Sequence, residues 1–359
     1  MAESNPLILV VNPGSTSTKV AVYRGTEEIH VKNVEHPSEE LAKFDLTAEQ
    51  FDLRRQAIEA WLGSLPESDC RFTAIAGRGA PLKPLAGGTY SISAQMLEDV
   101  KTSKYSNHAS NLGAILADYF SRKYDIPAYI TDPITTDNFT EIARISGVPE
   151  IKRKCRSHCL NIKAMGRAEA GKIGKGLDEV NFVVAHMGGG ISIAALAKGR
   201  VIDVNDGLLG MGPFSPDRAG ALPIGGVLEL AFSGGFSKDE LIKKFSKSSG
   251  LIAYLGTSDL REVEKMIDDG DEQAKLIFKA MCYQIAKEIG VASVVLKGDV
   301  QGIILTGGMA YSDKLRNEIS QYVTFIAPVI NAAGEYEMVA LTEGAIRALG
   351  GEETIQVYE

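Results

Sequence analysis

The chain has 359 residues, 45% of them apolar and 23% charged, which is enough to bury a sizeable core and is ordinary for a globular protein. Its 46 acidic and 38 basic residues give a net charge of −8, which argues against a general binder of nucleic acid or of anionic membranes and leaves room only for a local basic pocket. No apolar run approaches the roughly 20 residues of a membrane span, and the opening MAESNPLILVV has no basic region before its short apolar run, so no signal peptide is expected and the expected location is the cytoplasm.

Along the chain, residues 1–36 read as three strands with turns at 12–18 and 24–27. The first turn is the most informative. The apolar run 7–11 stops at Asn12-Pro13-Gly14, the hydroxyl residues Ser15, Thr16, Ser17 and Thr18 follow, and 19–23 resumes a strand pattern. A tip offering backbone N–H groups, hydroxyls and a lysine suits phosphate oxygens. It is not a P-loop, because Gly14 is followed five positions later by Lys19 with no second glycine, and a strand comes next instead of a helix. Lys19 itself is expected to snorkel from a strand edge. A helix is expected over 48–62, a strand at 74–76 entering the loop GRGAPLKP, and helices over 94–101 and 108–122. In the last of these Leu112, Ile115, Leu116, Tyr119 and Phe120 form a core-facing stripe. Ala128–Thr131 reads as a short strand ending at Asp132-Pro133.

A second half begins near residue 150. After a helix over 160–173, the opening layout recurs: an apolar run at 182–186 meets Met187-Gly188-Gly189-Gly190, and 191–196 resumes before Lys198-Gly199. Asn12 and His186, Gly14 and Gly188, and Gly25 and Gly199 are each 174 positions apart; Val10/Val183 and Val11/Val184 follow within one position, allowing for loop drift. Two copies of a strand–Gly-turn–strand unit suggest two related domains facing one nucleotide. A long Gly/Pro-rich loop follows at 207–225, of a length that is usually functional or disordered. Then come the longest helix at 272–296, a buried-type strand at 302–306 running into Gly307-Gly308, a helix near 312–321 and a last helix at 338–349. The four cysteines, Cys70, Cys155, Cys159 and Cys282, are too few and too irregular for a disulfide framework. Cys155, His158 and Cys159 lie close together, but no second Cys/His pair completes a zinc set, so the two cysteines read as buried fillers.

Nine stretches carry a resemblance: VNPGSTSTKVAVY (11–23), GRGAPLKP (77–84), NHASNLGA (107–114), ITDPITTD (130–137), HCLNIKA (158–164), VAHMGGGISIA (184–194), DVNDGLLGMGPFSPDRAG (203–220), AYLGTSDLREVE (253–264) and ILTGGMA (304–310). On them the chain resembles the acetate and sugar kinase/Hsp70/actin superfamily. Within it, the resemblance is to the butyrate kinase branch of the acetokinase family, to which GPFSPDRAG and NHASNLGA are specific. The resemblance implies an α/β fold of two duplicated actin-like ATPase (ribonuclease H-like) domains, 1–150 and 151–337, flanking a nucleotide cleft. Asn12 and His186 would face each other across it, the domains would close on binding, and the C-terminal segment 338–359 would pack back on the first domain. It also implies ATP-dependent phosphorylation of a short-chain carboxylate to an acyl phosphate, reversible to ATP synthesis. Butyrate or a branched-chain acid is the main reading and an acetate or propionate kinase the alternative. ATP/ADP and Mg²⁺ are the implied cofactors, and a homodimer or larger homo-oligomer the implied assembly. A sugar kinase and a non-enzymatic actin- or Hsp70-like ATP switch are the remaining readings.

The residue types fit that chemistry. A carboxylate acceptor is already anionic, so it needs cations more than a general base. Arg78 and Arg218, in Gly/Pro-braced loops, are placed to clamp the carboxylate and the moving phosphoryl group. By similarity, Asn12, Gly14, Ser15 and Ser17 match the first phosphate turn, with Asn12, Ser17 and Glu337 near Mg²⁺. Asp132 matches an aspartate that orients the acceptor or a Mg²⁺-bound water, and His158 a donor to the equatorial phosphoryl oxygens. His186 with Gly188, Gly189 and Gly190 matches the second phosphate turn, and Gly307 with Gly308 the adenosine loop. The family's Pro-Gly-Glu reads Ala333-Gly334-Glu335 here, so Glu335 and Glu343 rival Glu337. His108 either starts its helix or belongs to the site. Ala80 and the segment 205–211 depart from the family pattern next to the expected acyl pocket.

Overall fold

The structure is a computed structural model that describes residues 5–334 and 336–359. The first apolar run becomes β1 (Leu7–Pro13), followed by β2 (Ser17–Arg24) and β3 (Glu27–Glu35) in an antiparallel meander. Ile8, Leu9, Val10 and Val11 are all fully buried, as expected of a strand covered on both faces. After α1 (Ser38–Leu41) and α2 (Phe51–Leu62), β4 (Ala74–Gly77) joins β1 in parallel. Then come β5 (Thr89–Ser91), α3 (Ala94–Lys101), α4 (Asn111–Tyr124) and β6 (Ala128–Thr131) parallel to β4. The expected helix at 48–62 is a 3-10 turn, Thr47–Gln50, running into α2. Lys19 is exposed on β2, which is paired on both sides and so is not an edge strand.

The second stretch holds α5 (Glu141–Arg144), α6 (Cys159–Lys172), β7 (Asn181–Met187), β8 (Ile191–Ala197) and β9 (Arg200–Val204). It continues with α7 (Ile224–Phe232), α8 (Lys238–Lys247), α9 (Leu251–Leu255), α10 (Leu260–Asp268), α11 (Glu272–Val295), β10 (Gly302–Gly307), α12 (Asp313–Val323) and β11 (Val329–Ala333). Finally α13 (Glu337–Gly350) packs on β6, β4 and β1, and β12 (Gln356–Val357) pairs with β5. The chain accordingly divides into two compact units, residues 5–137 with 336–359, and 138–334. Each unit has its own apolar core, one built around β1, β4 and α4, the other around β7, β10 and α11.

The two sheets share a topology. One runs β12-β5-β6-β4-β1-β2-β3 and the other β11-β10-β7-β8-β9. Read from β3 to β6 and from β9 to β11, both are an antiparallel meander whose first strand continues through two parallel neighbours. β1 and β7 start 174 positions apart, and so do β2 and β8. The register is therefore free of the one-position drift expected from sequence, and Val10 corresponds to Val184. The reason is geometric: β1 and β7 have equal length and three residues bridge each to the next strand, so the alternation of side chains is kept. This is the duplicated actin-like ATPase fold. Among the described residues no helix is long and apolar enough to cross a membrane, and no cluster of three metal-ligating side chains occurs. Cys155, Cys159 and Cys282 are buried.

Candidate active site

In the first unit the site elements converge because β1 and β4 run in parallel and end together. Asn12 is the penultimate residue of β1, and Arg78 follows β4 directly, its N–H donating to the Val11 carbonyl at 2.9 Å. Helix α13 packs on this sheet and brings Glu337 in its first turn. One carboxylate then joins both: Asn12 Nδ2 donates to Glu337 Oε2 at 3.1 Å, and Arg78 Nη2 pairs with Glu337 Oε1 at 2.9 Å. Arg78 Nη1 is buried and has no hydrogen-bond acceptor. The Arg78 loop sits tight against the start of α4, where a Cβ on Gly113 would strike the Arg78 backbone. Glu337, not Glu343, makes the contact with Asn12 and Arg78; Glu335 lies outside the described residues.

Asp132 follows β6 at a left-handed φ of 41° and is buried. Its Oδ1 accepts from Gly88 N–H at 2.8 Å, and its own N–H donates to the Gly88 carbonyl at 2.9 Å, so it braces the loop before β5. His108 Nδ1 accepts from Ser110 N–H at 3.2 Å, and its carbonyl accepts from Asn111 N–H. Both bonds brace the segment just before α4, whose N-cap is Ser110. Partial burial, and then the nearby charge of Arg78, hold the His108 imidazole below the usual pKa. In the first turn Gly14 N–H donates to Ser17 O at 2.8 Å, Ser15 is exposed and Ser17 half-buried. Behind this turn stands Arg54 of α2, fully buried. The local sequence does not mark it, since an arginine in a helix of mixed polarity reads as solvated.

In the second unit His186 holds the same penultimate place in β7 that Asn12 holds in β1. His158 caps α6, and the two imidazoles stack with centroids 4.0 Å apart and planes at 19°. His158 Nδ1 lies 3.0 Å from the Ser192 hydroxyl. Asn161, one turn into α6, was not singled out from the sequence although HCLNIKA contains it. Its Nδ2 lies 2.9 Å from His186 Nδ1 and 3.4 Å from Thr306 Oγ1, and the Thr306 hydroxyl donates to the Gly334 carbonyl. A hydroxyl has one hydrogen, so Thr306 accepts from the Asn161 amide, whose other hydrogen goes to His186 Nδ1. A neutral His186 then carries its proton on Nε2, the nitrogen beside Gly188.

The turn Gly188–Gly190 closes by Gly188 N–H to Gly190 O at 3.1 Å, and Ser215 Oγ donates to Gly189 O at 2.5 Å. The Arg218 guanidinium lies over Gly190, where a Cβ would overlap it, and donates through Nη1 to Gly207 O. Its Nε, 3.7 Å from Asp217 Oδ1, is buried without a hydrogen-bond acceptor. Gly307 ends β10 at φ +88°, so close to the Met187 backbone that no side chain fits. Gly188, Gly189 and Gly308 open onto a cavity of about 690 Å³ also lined by Asp217, Asp259 and Tyr311. Asp259 caps α10, and its hydrogen bonds from Arg261 hold its carboxyl down at about 2. Asp259 and Arg261 lie in the quoted stretch AYLGTSDLREVE, and their place at the cavity was not drawn from it.

Two copies of one β-meander, each with a small-residue turn between its first two strands, make up this actin-like ATPase fold. A family model described as the acetokinase family matches residues 152–334. The chain belongs to this family, whose members are carboxyl-group phosphotransferases using ATP. Its fold is similar to that of a propionate kinase from Francisella tularensis subsp. tularensis (TM-score 0.75, 19% identity, 94% of this chain and 98% of that one). It is also similar to an acetate kinase from Porphyromonas gingivalis (TM-score 0.74, 18% identity, 95% and 99%). A third such structure is the acetate kinase from Entamoeba histolytica (TM-score 0.75, 16% identity, 95% and 99%).

Proposed function

We propose that this chain transfers the γ-phosphoryl group of ATP to a short-chain carboxylate, forming an acyl phosphate, and runs in reverse to make ATP. One observation carries the reading. Arg78 and Arg218, the two arginines expected to meet anions, each hold a buried N–H with no acceptor among the described residues. Leaving such a group unsatisfied costs roughly 1–3 kcal/mol, and an incoming carboxylate or phosphoryl oxygen removes that cost.

The roles follow from the local chemistry. The cavity at Gly308 takes the adenosine and the turn Gly188–Gly190 the phosphates, while His186 Nε2 and His158 donate to phosphoryl oxygens. Arg78 and Arg218 offset charge on the acceptor and on the group in flight, which is the main requirement of this transfer. No base is needed because the acceptor arrives ionised; Asp132, which offers that acceptor no hydrogen-bond donor, would orient a Mg²⁺-bound water. Mg²⁺ prefers oxygen ligands. The set Glu337, Asn12 and Ser17 offers a carboxylate, a carbonyl and a hydroxyl oxygen, with the Asn12 amide nitrogen already turned to Glu337. When bound there, the ion would neutralise phosphate charge.

The acceptor's length is the finer question. The family and the named structures support acetate or propionate. The butyrate or branched-chain reading rests on GPFSPDRAG and NHASNLGA alone. Acyl phosphate trapped as the hydroxamate, with ATP, Mg²⁺ and acids of two to six carbons against a no-acid control, tests both. Acid-dependent product is expected, and the ranking of kcat/KM names the acceptor. No product with any acid from a protein that binds ATP would overturn the carboxylate kinase, and turnover of a sugar would replace it.

A further inference from the structure

Among the described residues, one of the largest completely buried side chains is a cation, Arg54. A buried charge is costly unless it is paired and hydrogen-bonded, yet among the described residues no carboxylate pairs with it. Its donors are all used. Nε and Nη2 give to Gln50 Oε1 at 3.1 and 2.8 Å. Nη1 gives to the carbonyls of Gly14 and Ser17, both at 2.9 Å, and to Thr18 Oγ1 at 3.0 Å. Nη2 also reaches the Ser15 carbonyl at 3.2 Å.

The effect on the turn is specific. The Thr16 carbonyl is taken by His36 N–H at 2.8 Å, so every carbonyl from Gly14 to Ser17 has a donor on the inner side. The N–H groups of the exposed Ser15 and Thr16 donate to nothing among the described residues. Carbonyls drawn inward onto a cation and N–H groups left outward make an anion-binding concavity. Burial lowers the Arg54 pKa only to about 10, so it is charged at neutral pH. His36, held at about 4 by burial and then by the Arg54 charge, remains neutral and accepts from Thr18.

We propose that Arg54 is a positioning residue of the phosphate turn: it shapes residues 14–18 from behind, and its missing counter-charge is the phosphoryl group of the substrate bound on the outer side. This rests on reading that turn as a phosphate site. The test compares binding of ATP and of adenosine, which lacks phosphate, in wild type, Arg54→Gln, Arg54→Lys and the milder Gln50→Ala. Removing the charge in Arg54→Gln should weaken ATP about tenfold or more while leaving adenosine within about twofold. Arg54→Lys keeps the charge without the fork and should fall between. Gln50→Ala, which only frees one side of the guanidinium, should show a smaller shift of the same kind and serves if Arg54 variants fail to fold. Folded variants with the wild-type ratio of ATP to adenosine affinity would overturn the proposal. A wild type that prefers ATP no more than adenosine would instead overturn the phosphate-site reading beneath it.

Discussion

The turns after β1 and after β7 have the same length, the same register and the same place in their sheets, yet they are backed in different ways. Beneath the first lies a buried cation from a helix, Arg54, bonded to three of the turn's carbonyls. In the second, a neutral hydroxyl, Ser215, takes the Gly189 carbonyl, and the cation, Arg218, lies over Gly190 from a loop. The first turn carries side chains, Ser15 and Thr16, whereas in the second a Cβ at 190 would occupy the place of Arg218, although one at 188 or 189 would meet nothing closer than 3.9 Å. Topology repeats where a turn sits, while the charge that makes it useful comes from elements the repeat does not share.

The largest effect should come from the arginines. Arg218→Ala and Arg78→Ala should each lower kcat about 10²–10³-fold, with a smaller change in KM, since they act on charge that develops during transfer. Wild-type turnover in either variant would remove it from the chemistry. Two glycine substitutions, one in each turn, sharpen the contrast. Gly190→Ala should displace Arg218 and lower kcat by about tenfold or more at a cost of roughly 1–3 kcal/mol in stability. Gly14→Ala, whose Cβ would meet nothing closer than 3.4 Å, should change stability by less than about 1 kcal/mol. Equal effects in kinetics and thermal melts would mean the two turns are backed alike after all.

The smallest effect is a pH dependence particular to the first turn. His36 has a folded pKa near 4 against an ordinary 6.5. The neutral form is favoured on folding, so this contribution is complete above about pH 6.5 and is lost as pH falls towards 4. His36→Gln keeps an acceptor for Thr18 without titrating. It should lose less stability than wild type across that window, by on the order of 2 kcal/mol, in melts at about pH 7, 5 and 4. Parallel losses in the two proteins would show that another group titrates there.

Much of the fold was legible because its signals are local. Alternation and turn composition mark 7–24 and 181–197, and the helical stripe from Leu112 to Phe120 marks α4. Strand ends also showed where Asn12, His186, Gly188–Gly190 and Gly307 would lie. Short pieces were not legible: β5 has three residues and β12 two, and a strand that short takes its conformation from its neighbour. Among the glutamates, Glu335, Glu337 and Glu343 all fitted the sequence; the packing of α13 on β1 and β4 brings Glu337 to Asn12 and Arg78, and Glu335 lies outside the described residues. His108 was balanced between two readings, and the structure shows it bonded to Ser110, the N-cap of α4, and near the charge of Arg78. The role of Asn161 in orienting His186 depends on Thr306, on a strand far along the chain.

By itself, then, the sequence determined the two strand–turn–strand units and their duplication, because backbone preference and side-chain period act between residues close in the chain. Only the tertiary structure decided which charges stand at those turns. Arg54 reaches Gly14 across 40 positions and Glu337 reaches Asn12 across 325. Such pairings depend on how helices settle on sheets, and no local pattern records that.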